Sequence, residues 1–242
     1  MSLTESPMRK ITLSLLPLAL LVALPAQANL TIHPMRTSVE GKRSAQIRVY
    51  SQSTQPQYVQ AALRRIDNPA SENEREVEVE PHEAAITITP GKFALSGGGN
   101  RLIRLIPLQS VEKETAYRIY FEGVRGPEET ERDAEGGSQA NVGVSLVWGA
   151  LVNVVPTHGE VALRLQGNTL RNVGTLRVGI TSVAECSGAG ACSAHDVSHS
   201  LYPDAALELP FQPKPGSTLQ LRYRLTRDGY REHVETVAAA AG

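Results

Sequence analysis

The residues able to do chemistry are few and scattered. Two cysteines, Cys186 and Cys192, stand in "ECSGAGACS", with His195 and His199 a few residues on. In an oxidising compartment a close even pair of cysteines reads as one disulfide closing a small loop. A zinc site would need tighter paired ligands than a stretch filled with Gly and Ser supplies. A Cys186–Cys192 disulfide is therefore expected, and a metal is not. The "GGGN" run at 97–100 is followed by neither a helix pattern nor Lys-Ser/Thr, so it reads as a turn and not as a phosphate cradle. The six histidines are spread along the chain, and Glu122 and the carboxylates of "EETERDAE" form a charge run, which usually marks a solvated segment. The chain contains no G-x-S-x-G, H-E-x-x-H or Walker A sequence. An enzyme reading has no constellation to rest on; its remaining form is an unfamiliar hydrolase in a groove between domains.

The pattern that asks for an explanation is "NVGVSLVWGALVNVV", residues 141–155, which follows the polar run "RGPEETERDAEGGSQA". Read by twos, Val142, Val144, Leu146 and Trp148 fall on one side. Asn141, Gly143, Ser145, Val147 and Gly149 fall on the other. Period two is the signature of a strand with two unlike faces.

Short β patterns with turn signals between them surround this stretch, including "AQIRVYS", "QYVQAALRRI", "REVEVE" (a charged, edge-like strand), "AAITITP", "RLIRLIPL" and "AYRIYFEGV". Pro156-Thr157-His158-Gly159 reads as a hinge, and the pattern restarts after it with "EVALRLQG", "TLRVGITSVAEC" and "STLQLRYRLT". The expectation is an all-β chain in two sandwich domains, 29–156 and 157–242.

With 24 Lys+Arg against 25 Asp+Glu there is no electrostatic footprint for nucleic acid and no polybasic membrane patch. Residues 1–28 read as a secretory signal peptide: "MRK" at 8–10, the apolar "ITLSLLPLALLVALP", and a small-x-small site at Ala26-Gln27-Ala28. The residues before Met8 are atypical, so Met8 is a second candidate start. A membrane anchor is the alternative, but the apolar run holds Pro17 and falls short of the roughly twenty residues a span needs. The mature chain is expected to be exported, soluble and without stable membrane insertion.

Taken in order, "RVYSQSTQPQYVQAALRRIDNP", "ITITPGKFAL", "AYRIYFEGV", "VSLVWGALVNVVP", "RNVGTLRVGITSV", the close cysteine pair and "LYP" cover nearly all of the mature chain. This ordered set resembles the periplasmic chaperones of chaperone–usher pilus assembly, in the divergent branch serving colonisation-factor-antigen-type and cable-like pili. The resemblance implies two immunoglobulin-like β-sandwich domains in a boomerang arrangement. It implies no enzymatic activity, nucleotide or metal cofactor, and it names pilin subunits and an outer-membrane usher as partners. Strand G of the first domain would complete the open fold of a pilin through β-augmentation. By position Val142, Val144 and Leu146 would be the donor side chains, with Trp148 continuing the row. One face of the strand would fill the partner and the other would cover the chaperone's own sheet. The polar loop at 125–138 would keep the free donor soluble. Self-association through that strand stays open. The rival readings are a structural pilus subunit and an exported ligand-binding β-sandwich.

The resemblance also implies a basic anchor for the pilin's C-terminal carboxylate. Arg36, five residues before Gly41, matches the first base of that anchor, and the planar guanidinium suits a carboxylate. The second base is usually a lysine five residues before the proline that ends strand G. Counting back from Pro156 gives Leu151, so the lysine is missing, and Arg118 and Arg177 are the candidates to replace it.

Overall fold

The computed structural model describes residues 29–124, 126, 146–187 and 190–239. Among them are eighteen strands and no helix. Residues 1–28, the polar run apart from Gly126, and Val142 and Val144 lie outside the described residues.

The first sandwich stacks two sheets. One is four-stranded, in the order β1 (Leu30–His33), β3 (Ala45–Ser51), β8 (Asn100–Pro107), β6 (Ile86–Thr89). The other runs β2 (Arg36–Glu40), β10 (Val147–Val155), β9 (Thr115–Val124), β4 (Gln57–Asp67), β5 (Arg75–Val77), with β7 (Lys92–Leu95) also on β4. The N-terminal segment serves both sheets. β1 pairs antiparallel with β3, the chain breaks at Pro34, and β2 then pairs parallel with β10. Proline has no N–H to give to a ladder, so a break there is where a strand can change sheets.

Alternation supplies the core. Ile47 and Val49 of β3, Ile103 and Leu105 of β8, Ile119 and Phe121 of β9, and Val59 of β4 are all buried in one cluster. "REVEVE" forms a strand only over Arg75–Val77. The edge of β4 explains the shortness: β5 takes Arg65–Asp67 and β7 takes Gln57–Gln60, so each partner has only a few residues to pair with.

The second sandwich has a three-stranded sheet, β11 (Leu163–Gln166), β12 (Thr169–Asn172), β16 (Ala206–Glu208). Against it stands β14 (Cys192–His195), β13 (Val178–Cys186), β17 (Thr218–Arg224), β18 (Glu232–Ala238), with β15 (His199–Leu201) also on β13. Its core includes Leu165, Leu170, Val178, Ile180, Val183, Leu219 and Leu221. The two cores change over between Val154, which belongs to the first, and Val155, which belongs to the second. Cys186 and Cys192 are register partners across β13 and β14 and are joined by a disulfide.

Phe121 is fully buried at the centre of the first core. Phe121→Ala should therefore lower unfolding free energy by about 3–5 kcal/mol. Val124→Ala, at the exposed end of the same strand, should change it by no more than about 0.5 kcal/mol. Urea denaturation of the two variants checks the contrast.

Candidate functional site

β10 carries the alternating stretch, and its two faces serve different partners. Ala150, Val152 and Val154 are buried in the first core, and Trp148 packs against the same cluster. Leu151 packs instead with Ile66, Ala116 and Tyr202, and Val155 lies in the second core. The even-numbered row thus faces into the first sandwich, and from Leu151 to Val155 the odd-numbered row faces the second domain.

This corrects one expectation. One face was expected to fill a partner while the other covered the chain's own sheet, but the row that covers the domain's own core is the even-numbered row that holds the donor candidates. Trp148, at the end of that row, packs against the first sandwich. Leu146, two residues earlier, is 50% exposed. The physical reason is the end of the core: opposite Trp148 lies the fully buried Phe121, and Leu146 precedes the first residue of β10.

The edges of β10 show a second asymmetry. Towards β9 it is paired from Val147 to Val154. Towards β2 it is paired only from Leu151 to Val155, with the Leu151 N–H donating to the Met35 carbonyl at 2.9 Å. Among the described residues no strand pairs the other edge of residues 147–150. An exposed apolar residue at the mouth of an unpaired strand edge is a template for another chain's strand.

A cleft of about 670 Å3 is lined from both domains, with Arg36 from the first and Arg177, His199, Ser200 and Arg224 among the residues from the second. Leu151 sits in register between Arg36 on β2 and Arg118 on β9. The two candidate replacement bases differ. Arg118 is already neutralised, pairing with Glu76 through Nη1 and with Glu74 at 3.5 Å, and it does not line the cleft. Arg177 does line it, and its Nη2 donates to the Ser200 hydroxyl at 2.8 Å. The Tyr230 ring lies 5.9 Å from the Arg36 guanidinium. Tyr230 holds φ at 65°, a left-handed conformation that a tyrosine rarely adopts without a positional reason.

A buried polar network joins the domains behind the cleft. The Glu114 carboxylate accepts hydrogen bonds from Asn153 Nδ2 at 2.8 Å, from the Thr226 hydroxyl at 2.7 Å and from the Arg177 backbone N–H at 2.9 Å. Asn153 Nδ2 also donates to the Tyr202 hydroxyl at 2.9 Å. Arg227 adds a second tie, reaching Glu40 at 2.9 Å and the Gly159 carbonyl at 2.8 Å. Burial holds the Glu114 carboxyl above the usual carboxylate range, even though its hydrogen bonds and the nearby Arg177 pull the other way. None of these network residues carries a motif. Asn153, a polar residue inside the apolar "WGALVNVV", was the one visible signal.

The fold is that of the two-domain pilus chaperones. The structure of the class 5 fimbriae chaperone CfaA superposes with a TM-score of 0.74 at 22% identity, covering 88% of this chain and 100% of that one. A chaperone–tip adhesin complex of CFA/I fimbriae biogenesis gives 0.71 at 23% identity, with the same coverage. In sequence, the chain is 29% identical over 210 residues to an Escherichia coli protein named as a CS1 fimbrial subunit, covering 83% of this chain and 87% of that protein. It is 27% identical over 192 residues to an E. coli protein named as a CFA/I fimbrial subunit, covering 76% and 80%. No protein-family model matches the chain.

Glu114→Ala would leave three buried donors without their acceptor and should cost about 3 kcal/mol of stability. The pH test has a definite sign. A carboxyl raised in the folded state binds its proton more tightly there than in the unfolded chain, so stability rises as pH falls through the folded value. The wild type should therefore gain stability relative to Glu114→Gln as pH is lowered from 7 towards the ordinary glutamate range. Paired denaturation curves across that window check it.

Proposed function

We propose that the chain is a non-enzymatic periplasmic chaperone that captures pilus subunits through strand donation and delivers them to an outer-membrane usher. The observation that carries this reading is the half-paired β10. Its inward row of side chains leaves the sandwich core at Trp148, and among the described residues its outer edge is unpaired at the same place. A pilin lacking its last strand offers the complement, an open core and a free sheet edge. Val142, Val144 and Leu146 would enter that core in the same row that fills the chaperone's own core through Trp148. One strand would then span two hydrophobic interiors. Each Val or Leu so buried contributes roughly 1.5–3 kcal/mol before ordering costs.

Arg36 is the first base for the pilin's terminal carboxylate. Arg177 takes the place of the lysine that Leu151 lacks, approaching from the second domain. The likeness of 88% of the chain to the CfaA structure supports the chaperone reading. The names of the two E. coli relatives favour a second reading, a structural pilus component. Two sandwiches with their own cores argue against it, because a pilin awaiting a donor would have one core left open. The processing of residues 1–28 and delivery to the usher are part of this proposal and rest on the sequence pattern.

The test is co-expression of the tagged chain with the pilin encoded beside its gene. Val144→Asp combined with Leu146→Asp should abolish recovery of the pilin while the variant keeps a wild-type circular dichroism spectrum. Equal recovery by wild type and variant would mean that the stretch donates nothing. Arg36→Gln should lower pilin recovery about tenfold or more, the worth of one charged hydrogen bond. Arg118→Gln should leave it nearly unchanged, and the reverse order would move the anchor out of the cleft.

A further inference from the structure

The cleft holds more positive charge than one carboxylate can satisfy. None of its eleven lining residues is Asp or Glu, while three are arginines. The arginines around it are paired: Arg118 with Glu74 and Glu76, Arg222 with Glu232 at 2.9 Å, Arg227 with Glu40 at 2.9 Å. Among the described residues, no carboxylate lies in salt-bridge reach of the guanidinium of Arg36, Arg177 or Arg224.

The second-domain wall is built to hold its charges in place. Arg177 is almost fully buried, and its guanidinium is tied to Ser200 at 2.8 Å and Thr226 at 3.4 Å. It lies across Gly179, where an added Cβ would come within 2.6 Å of Nη2, so any larger residue at 179 would displace it. The cross-strand partner of Gly179 is Arg224. Two guanidiniums are therefore neighbours on one wall, with Arg36 contributed from the first domain. A carboxylate forks with one guanidinium by two parallel bonds. A cleft of about 670 Å3 is also far larger than one such group.

We propose that the cleft has a second anion subsite, formed by Arg224 with the neighbouring His199, which takes an acidic side chain from the last few residues of the docked pilin. This rests on the reading of the cleft as the dock for the terminal carboxylate. The partner's C-terminus is thereby specified as a peptide end with two carboxylates, one terminal and one on a side chain. Arg36 and Arg177 hold the first, and Arg224 reads the second.

The experiment uses the full mature chain, 15N-labelled, and follows arginine side-chain Nε–Hε signals at constant ionic strength. The probes are acetyl-Ala-Ala-Ala and acetyl-Ala-Glu-Ala, both with free C-termini. The glutamate peptide should bind about tenfold more tightly, the worth of one added charged hydrogen bond. Arg224→Gln should erase that gain, so that the two peptides bind the variant with the same affinity. Equal affinity for the two peptides would overturn the second subsite while leaving the carboxylate dock intact. A gain that survives Arg224→Gln would overturn its assignment to Arg224. No perturbation of Arg36 or Arg177 by either peptide would overturn the dock itself, and the subsite with it.

Discussion

A β-strand presents its side chains to two faces and its backbone to two edges, and every one of these must find a partner or meet water. β10 meets this constraint differently along its length, and the rest of the molecule is arranged around that change. Between Leu151 and Val154 both edges are laddered, one row fills the first core, and the other row meets the second domain. Between residues 147 and 150 the edge away from β9 is bare among the described residues. Val147 is 50% exposed, and the core row ends at Trp148. A strand in that condition either aggregates or has a partner.

The same strand sets the geometry of the cleft. Asn153, on its outward row, hydrogen-bonds Glu114 of the first domain and Tyr202 of the second. Glu114 in turn accepts from Thr226 and Arg177, both in the second domain. The network therefore holds Arg177 at a defined position opposite Arg36. In the proposed function, donation and anchoring would be two consequences of one placement: the strand that would complete a pilin also carries the residue that fixes the wall where the pilin's end would dock.

Much of the fold was legible because alternation and turn chemistry are local signals. "AQIRVYS" and "AYRIYFEGV" became strands that bury Ile47 and Val49 in the first and Ala116, Tyr117, Ile119 and Phe121 in the second. The cysteine pair closed as its spacing implies. "REVEVE" was over-read because its length as a strand depends on how β5 and β7 share one edge of β4, and nothing within those six residues reports that. Which row of β10 fills its own core was unreadable for a similar reason. Alternation says that two rows exist, but which row faces inward depends on packing across the sheets. Glu114 and Asn153 were invisible as a pair because a buried interdomain network is assembled by topology, from residues 39 apart in the chain. Arg36 and Arg177 were both named, but only the structure separates Arg177, which lines the cleft, from Arg118, which Glu74 and Glu76 occupy.

The most direct measurement of the central claim is backbone hydrogen exchange at residues 147–150, in the free chain and in a purified complex with a pilin. In the free chain the N–H groups that point away from β9 should exchange quickly, while those of Val152 and Val154 are protected. Bound to a pilin, the same outward N–H groups should become protected by orders of magnitude as a second ladder forms. Unchanged exchange at 147–150 in a stable complex would contradict the account, because the pilin would then be held without the strand.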